Sequence, residues 1–472
     1  MIGNFYICIL LLFLMEKREI VLYGIIVVLA IISRFAFLDL RILHHDEGVN
    51  YFFANEILES GRFIYDPLNY HGPFYFFALA LSFLIFGISE FSLRFPAVIF
   101  GILIVILPLF FNRKEFGRYI VPVFLLISPS LMYYSRYSIH EGAFVLFSLL
   151  SVYFFSLILE KKNLKYLPYF VIALALLFTI KETVVIMLFI IFIISIINYK
   201  RIREIDFKES LNIILVSLFI FIFIFILLFT SFFFNINGLG DSLRAFSPWI
   251  DRGLNEIGHD KSFYYYSLIL LEYELPILLF ALIGVIYTFK FRKNVFVLNF
   301  SLWMILSFLI YSFIPYKTPW LIINIVAPMC FIACFGFKNI KFKYKWIFLL
   351  ISIFYLISVL LYVNFGFPWQ EENKYAYVHT DIDILRLVDR VNNYEEPQIL
   401  IVSKEYWPLP FYFHEKKVDY LDNGFEGYGN YSDYNLFIFN APDFVEEELP
   451  IGYEHNKYKL RPGVELVLVE KA

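Results

Sequence analysis

His44-His45-Asp46-Glu47-Gly48 follows the first stretch of the chain that is apolar and long enough to cross a bilayer, residues 20-38. It opens a polar and aromatic loop, 39-72, that ends at His71-Gly72-Pro73. Ionisable side chains at the edge of hydrocarbon are costly to place there and mark a functional site by default. Reading this stretch as a membrane-boundary site, not as the surface of a soluble domain, decides the fold class.

The rest of the chain supports that reading. Its 472 residues are 60% hydrophobic, 21% aromatic and 17% charged, and its mean hydropathy is +0.70. A soluble domain carries nearer about 25% charge. The composition is that of a polytopic α-helical membrane protein. Lys and Arg occur in short clusters beside apolar segments and the net charge is -3, so no basic face exists for a nucleic acid. The cysteines are Cys8, Cys330 and Cys334, which leaves the polar C-terminal region without a disulfide. Cys330 and Cys334 stand one helical turn apart with no further ligand nearby and read as small packing residues.

Apolar runs near bilayer length fall at 20-38, 94-111, 119-135, 142-159, 166-180, 183-198, 211-234, 264-289, 295-314, 320-337 and 346-364. That gives about eleven crossings. Basic clusters, which collect in cytoplasmic loops, occur at Lys17-Arg18, Arg113-Lys114, Lys161-Lys162, Lys200-Arg201, Lys290 with Arg292-Lys293, and Lys338 to Lys345. All can lie inside only if the shorter apolar piece 73-88 is half-inserted. The N-terminus is then cytoplasmic and the C-terminus outside, as in a multi-pass protein of the cell membrane. Residues 1-18 form the cytoplasmic start, where the apolar run Phe5 to Leu14 is too short to cross and Met15 is an alternative first residue.

The transmembrane domain is expected over 19-364, and the composition then turns polar. Region 365-472 reads as a small extracytoplasmic α/β domain. It would have a helix opened by a capping box at Thr380 to Asp383, strands at Gln398-Val402 and Leu436-Phe439, and a hairpin pairing Tyr458-Leu460 with Val464-Val469. Asn430-Tyr431-Ser432 fits a glycosylation sequon.

This topology gathers the unusual polar residues on one outer face. Asp46 either caps a helix over Val49 to Leu58 or serves as a general base, with Glu47 beside it. His44 and His45 could supply a proton partner or a ligand for a divalent metal, His45 being the candidate ligand. His71 is an interfacial histidine or a site residue. Arg136 caps the carbonyl end of its helix or faces the site, with His140 and Glu141 following it in Tyr134 to Glu141. Lys181-Glu182 interrupts an apolar run from Leu164 to Asn198, either as a local ion pair or facing a polar cavity. Lys317, in Pro315 to Trp320, snorkels to the interface or joins the site.

An acidic group and several cations at one membrane face suit a substrate with a lipid tail and a phosphate head. When sugar is transferred from a polyprenyl phosphate the leaving group is already a stable phosphate, so one base suffices and cations neutralise the departing charge. A glycosidase would need two carboxylates about 5–10 Å apart. The expected pocket joins the carboxylates to the cations.

The stretch Asp46-Glu47-Gly48 to Tyr70-His71-Gly72-Pro73, followed by Gly87 to Pro96, resembles the first outer loop and next helix of GT-C glycosyltransferases. The protein O-mannosyltransferases and lipid A aminoarabinose transferases are the similar groups. Thr179-Ile180-Lys181-Glu182, Pro315 to Trp320 and Glu405 to Tyr412 resemble a prokaryotic, flippase-activity-associated branch. The resemblance implies an outward-facing, inverting transferase, metal-dependent or metal-assisted, that takes a polyprenyl-phosphate sugar and hands it to a glycan, lipid or protein acceptor. Asp46 matches the catalytic acidic position and Glu47 its neighbour. His71 falls where relatives hold the site or phosphate. Gly72 replaces a lysine of the aminoarabinose enzymes, which leaves Lys181, Arg136 or Lys317 to meet the phosphate. A transporter or flippase of lipid-linked sugars, or a non-catalytic glycan-assembly factor, is the alternative, but no repeated half or pair of broken helices marks a transporter.

Overall fold

The computed structural model describes residues 17–68, 71–111, 113–208, 210–255, 259–290, 294–421, 433–444 and 452–471. Met15, the sequon at 430–432, Asn69-Tyr70 and Arg292-Lys293 lie outside them. The chain forms two compact units, one of residues up to Leu38 with Glu56–Gly366, the other of Asp39–Asn55 with Phe367 onward. The outer-loop segment 39-55 thus belongs with the C-terminal residues, although the composition change alone set a boundary only at 365.

The first unit is helical. Among the described residues seven helices are long and apolar enough to cross a bilayer: Glu19–Leu40, Glu90–Phe110, Glu141–Lys161, Leu211–Phe229, Val295–Phe313, Pro319–Asn339 and Lys345–Gly366. An eighth crossing results if Tyr265–Tyr273 and Leu275–Lys290, bent by 110° at Glu274, are taken as one span. The expected count of eleven is not confirmed: the expected spans 166-180 and 183-198 make short helices, as does the piece 73-88 that was expected to be half-inserted. Pro73–Phe86 has 14 residues, Leu167–Phe178 has 12 and Val184–Ile197 has 14. At about 1.5 Å per residue each falls short of the roughly 30 Å hydrocarbon layer.

Another expected span, 119-135, divides into Ile120–Ile127 and Pro129–Tyr134. The proline cannot donate to the preceding turn, and Ser128 caps the new helix by accepting from the Leu131 amide at 3.4 Å. Glu274 joins the two breaks. Its Oε1 accepts from the Ser128 hydroxyl at 2.7 Å, the Ser130 amide at 2.9 Å and the Ser130 hydroxyl at 2.7 Å. Irregular backbone is tolerated in an apolar bundle only where such partners satisfy it.

Buried arginines satisfy helix ends in the same way. The Arg34 guanidinium donates to the carbonyls of Leu126 at 3.1 Å and Leu125 at 3.2 Å, at the carbonyl end of Ile120–Ile127. Arg94 donates to the Leu38 carbonyl. Elsewhere backbone meets backbone. A Cβ built on Gly284 would lie 2.2 Å from the Ile332 carbonyl oxygen, and one on Gly336 2.0 Å from that of Phe280. Small residues permit this approach, so Leu275–Lys290 packs closely on Ile323–Asn339.

The second unit contains a five-stranded mixed sheet of order β2-β1-β3-β5-β4. The strands are β1 (Gln398–Val402), β2 (Lys417–Leu421), β3 (Leu436–Asn440), β4 (Tyr453–Arg461) and β5 (Val464–Lys471). β1 runs parallel to β2 and β3, whereas β3–β5 and β4–β5 are antiparallel. One sheet face packs Ile399, Ile401, Ile438 and Leu468 against Ile384, Leu387, Val388 and Val391 of the helix Asp383–Asn392, with Ile42 in the same core. The expected capping box at Thr380 is replaced: Asp381 Oδ1 accepts from the Asp383 amide at 3.1 Å. The Asp383 carboxylate accepts from the Lys459 amide at 2.9 Å, tying the helix start to β4.

Candidate functional site

The helix containing Asp46 spans His45–Ser60, earlier than the expected Val49, so Asp46 and Glu47 occupy its first turn and neither precedes it. The two carboxylates have different surroundings. The Glu47 side chain is fully buried, 3.9 Å from the Arg41 guanidinium. It turns back to accept from the His44 amide at 3.1 Å. His44 Nδ1 accepts from the Asp46 amide at 3.0 Å. A histidine ring and a glutamate therefore perform the reciprocal capping usually done by serine or threonine with glutamate. His44 Nε2 lies 2.9 Å from the Tyr377 carbonyl. With Nδ1 an acceptor, the ring is neutral and Nε2–H donates.

Asp46 differs in that 37% of its side chain is exposed. Next to it, His45 Nδ1 accepts from Arg461 at 3.1 Å. Burial pushes the His44 and His45 imidazoles down to about 4. The metal reading finds no support in these residues. Both His44 nitrogens and Nδ1 of His45 have protein partners, and among the described residues no group of three or more His, Cys, Asp or Glu could hold an ion. His45 faces Arg461 instead.

In the helical unit a second cluster forms where the Lys181-Glu182 break meets the end of the outer loop. His71 and Lys181 form an antiparallel bridge. The Gly72 amide donates to the Ile180 carbonyl at 2.9 Å, and the Phe74 amide to that of Thr179 at 3.0 Å. Gly72 is needed for this approach, because a Cβ there would lie 2.3 Å from the Thr179 carbonyl oxygen. Gly72 thus lets two chain segments pair.

Lys181 pairs with Glu141 at 2.5 Å rather than with its neighbour Glu182. Glu182 accepts from the Tyr65 hydroxyl, and burial raises its carboxyl to about 7. The His140 ring is buried against His71 at 4.5 Å, Tyr75 at 4.6 Å and Phe76 at 5.0 Å between centroids. Burial holds its pKa well below the ordinary value, and the His71 and Lys181 charges add to the effect. The structure thus brings His71, His140, Glu141 and Lys181 together, with Glu182 next in sequence and Tyr65, which the sequence did not single out, on its carboxylate.

Arg136 and Lys317 have other partners. The Arg136 guanidinium donates to the carbonyls of Ala36 and Phe37, each at 2.6 Å, and lies 4.7 Å over the Phe365 ring. It caps a helix end, but the end of Lys17–Phe35 and not of its own helix. The Lys317 ammonium does not snorkel outward; it is buried and donates to the carbonyls of Ile314 at 2.5 Å and Lys261 at 3.0 Å. This closes the turn whose other side is the Asp260–Tyr316 bridge.

These features define a polytopic helical membrane protein with broken helices, ionisable clusters and an appended α/β domain, the GT-C fold. Comparison with known proteins agrees. Residues 70–228 match the family model described as dolichyl-phosphate-mannose-protein mannosyltransferase. An uncharacterized protein of Aquifex aeolicus is 27% identical over 385 residues, 76% of this chain and 87% of that protein. Among solved structures, ArnT from Cupriavidus metallidurans bound to undecaprenyl phosphate superposes with a TM-score of 0.67 at 12% identity, covering 94% of this chain and 97% of that one. The Archaeoglobus fulgidus oligosaccharyltransferase complex with zinc and sulfate gives a TM-score of 0.53 at 13% identity, over 93% of this chain and 73% of that one. The chain thus has the GT-C fold, and its residues 70–228 are similar to the mannosyltransferase family.

Proposed function

We propose that this protein transfers a sugar from a polyprenyl-phosphate donor to an acceptor on the outer face of the cell membrane, with inversion and with Asp46 as the general base. The observation that carries the base assignment is the division of labour between adjacent carboxylates. Glu47 is buried in the helix cap, whereas Asp46 keeps its carboxylate exposed. A base must reach the proton it removes. Asp46 takes the proton of the acceptor hydroxyl as that oxygen attacks the anomeric carbon, the bond from that carbon to the phosphate oxygen breaks, and the polyprenyl phosphate leaves as an anion that needs no acid.

Lys181 is the candidate contact for that anion. It is the least buried of the three expected cations, with 12% of its side chain exposed, and the bridge to His71 fixes its backbone. Glu141 holds the ammonium in place, and His71 and His140 form the wall beside it. Glu182 belongs to the same break as a supporting group. Arg136 and Lys317 donate to backbone carbonyls of other turns. The lipid class of the donor is supported by the undecaprenyl phosphate bound to ArnT. Mass spectrometry of lipid co-purified with the protein tests the donor class: a polyprenyl-phosphate sugar is expected, and a consistently lipid-free preparation that also fails to bind added undecaprenyl phosphate contradicts it.

A further inference from the structure

Glu405-Tyr406-Trp407-Pro408 lies against the first turn of the helix that bears Asp46. A Cβ built on Gly48 would come within 2.8 Å of the Pro408 Cα and 3.3 Å of Trp407 Cε3, so glycine is what admits this contact. The indole also meets the His45 ring at 6.2 Å and the Phe52 ring at 5.8 Å between centroids, both edge to face. A series of rings continues from Trp407 to Tyr406 at 5.0 Å and from Tyr406 to Tyr420 at 4.9 Å. Behind them the segment is anchored: the Leu409 amide donates to the Tyr406 carbonyl at 2.9 Å, and Leu409 is buried in the core of the domain. Trp407 itself is only half-buried, and Phe52 and Tyr420 are exposed. Grouped exposed aromatic rings held by a rigid segment mark an interaction surface.

Carboxylates flank these rings and say what the surface takes. Glu405 keeps 47% of its side chain exposed, while its Oε2 accepts from the buried Arg461 guanidinium. Another arm of that guanidinium donates to His45 Nδ1 at 3.1 Å. One arginine thus ties Glu405 to the residue next to Asp46, whose carboxylate is also partly exposed. One face of a pyranose ring is a plane of C–H groups, slightly positive and suited to the negative face of an indole, and its rim of hydroxyls donates to carboxylates. An anionic lipid surface, by contrast, is repelled by the same carboxylates. We propose that Trp407 and Glu405 form a saccharide subsite for the acceptor: a sugar ring stacks on Trp407, its hydroxyls donate to Glu405, and the hydroxyl to be glycosylated is directed at Asp46. The proposal rests on the reading of Asp46 as the base, and it makes the acceptor a glycan, not a peptide or a lipid head group.

The test is saturation-transfer NMR on the full-length protein in lipid nanodiscs, which avoid sugar-based detergents. The probes are soluble trisaccharides of mannose, glucose, galactose and N-acetylglucosamine. Transfer to the ring C–H protons of at least one of them is expected. Its binding should be about 10-fold weaker in Trp407→Ala, the ordinary cost of losing an aromatic anchor, and weaker also in Glu405→Gln. Should Trp407→Ala not fold, hydroxyl-radical footprinting of the wild type takes its place: the same trisaccharide should protect Trp407 and leave the half-buried Trp249 of the helical unit unchanged. Absence of transfer to every trisaccharide, equal binding by wild type and Trp407→Ala, or no protection of Trp407 overturns the proposal. So does protection by a serine- and threonine-containing peptide and by no saccharide. Failure of the Asp46 reading shows separately, as retained sugar transfer in Asp46→Asn, whatever the binding result.

Discussion

His44 caps its helix with an imidazole nitrogen, and this makes the segment acid-sensitive in a direction that can be worked out. Its folded-state pKa of about 4, like that of His45, lies below the ordinary value of 6.5. The folded form therefore binds fewer protons than the unfolded one. No penalty exists above about pH 6.5, and stability is lost as pH falls from there towards 4, by up to about 3 kcal/mol per histidine. Protection factors across 39-55, corrected for the slower intrinsic exchange at low pH, should be smaller at pH 5 than at pH 7.5, and unchanged protection would refute the neutral cap. Glu182 has the opposite dependence. Its carboxyl is raised from 4.5 to about 7, so its contribution to stability is full at low pH and is lost as pH rises from there to about 7. Glu182→Gln should flatten the fall in thermal stability between about pH 4.5 and 7. The sequence marked Asp46 and Glu47 as a pair but could not tell base from cap, because the difference arises from which side chain turns back to the His44 amide. Nor could it show Arg461 or Tyr65, which reach their partners through chain reversals that no local spacing encodes.

Among the elements, the two broken helices depend on one carboxylate. Removing Glu274 leaves the Ser128 and Ser130 donors without that acceptor in an apolar surrounding, at a cost of about 1–3 kcal/mol per unsatisfied group. Glu274→Leu should lower the melting temperature in detergent well below that of Glu274→Gln, which retains an acceptor; equal values would mean that the breaks hold without it. Long apolar runs were legible as helices because bilayer length and composition specify them, as with Leu211–Phe229 and Val295–Phe313. The break at Ser128-Pro129 was signalled by proline but hidden inside a continuous apolar run. The bend at Glu274 was marked by Glu272, Glu274 and Pro276 but lay inside a run read as one span. In the outer domain the hydrophobic strand β1 was read at its observed bounds, whereas β2, Lys417–Leu421, was missed because a polar edge strand has no apolar alternation to reveal it.

For the whole molecule, the GT-C fold was legible because the resemblance rested on the order of short motifs along the chain, from Asp46 through Lys181 to Trp320. The number of crossings was not, since Pro73–Phe86 and the helices on either side of Lys181-Glu182 are too short for composition alone to decide whether they cross. Topology is open to direct measurement: membrane-impermeant labelling of single cysteines in 39-68 should succeed from outside the cell, and labelling only from the cytoplasm would reverse the orientation. The measurement closest to the central claim is release of undecaprenyl phosphate from synthetic undecaprenyl-phosphate sugars, followed by mass spectrometry for wild type and Asp46→Asn at matched membrane insertion. A base at Asp46 predicts release by the wild type and a fall of about 10²-fold or more in the variant. Equal release by the two proteins would contradict it.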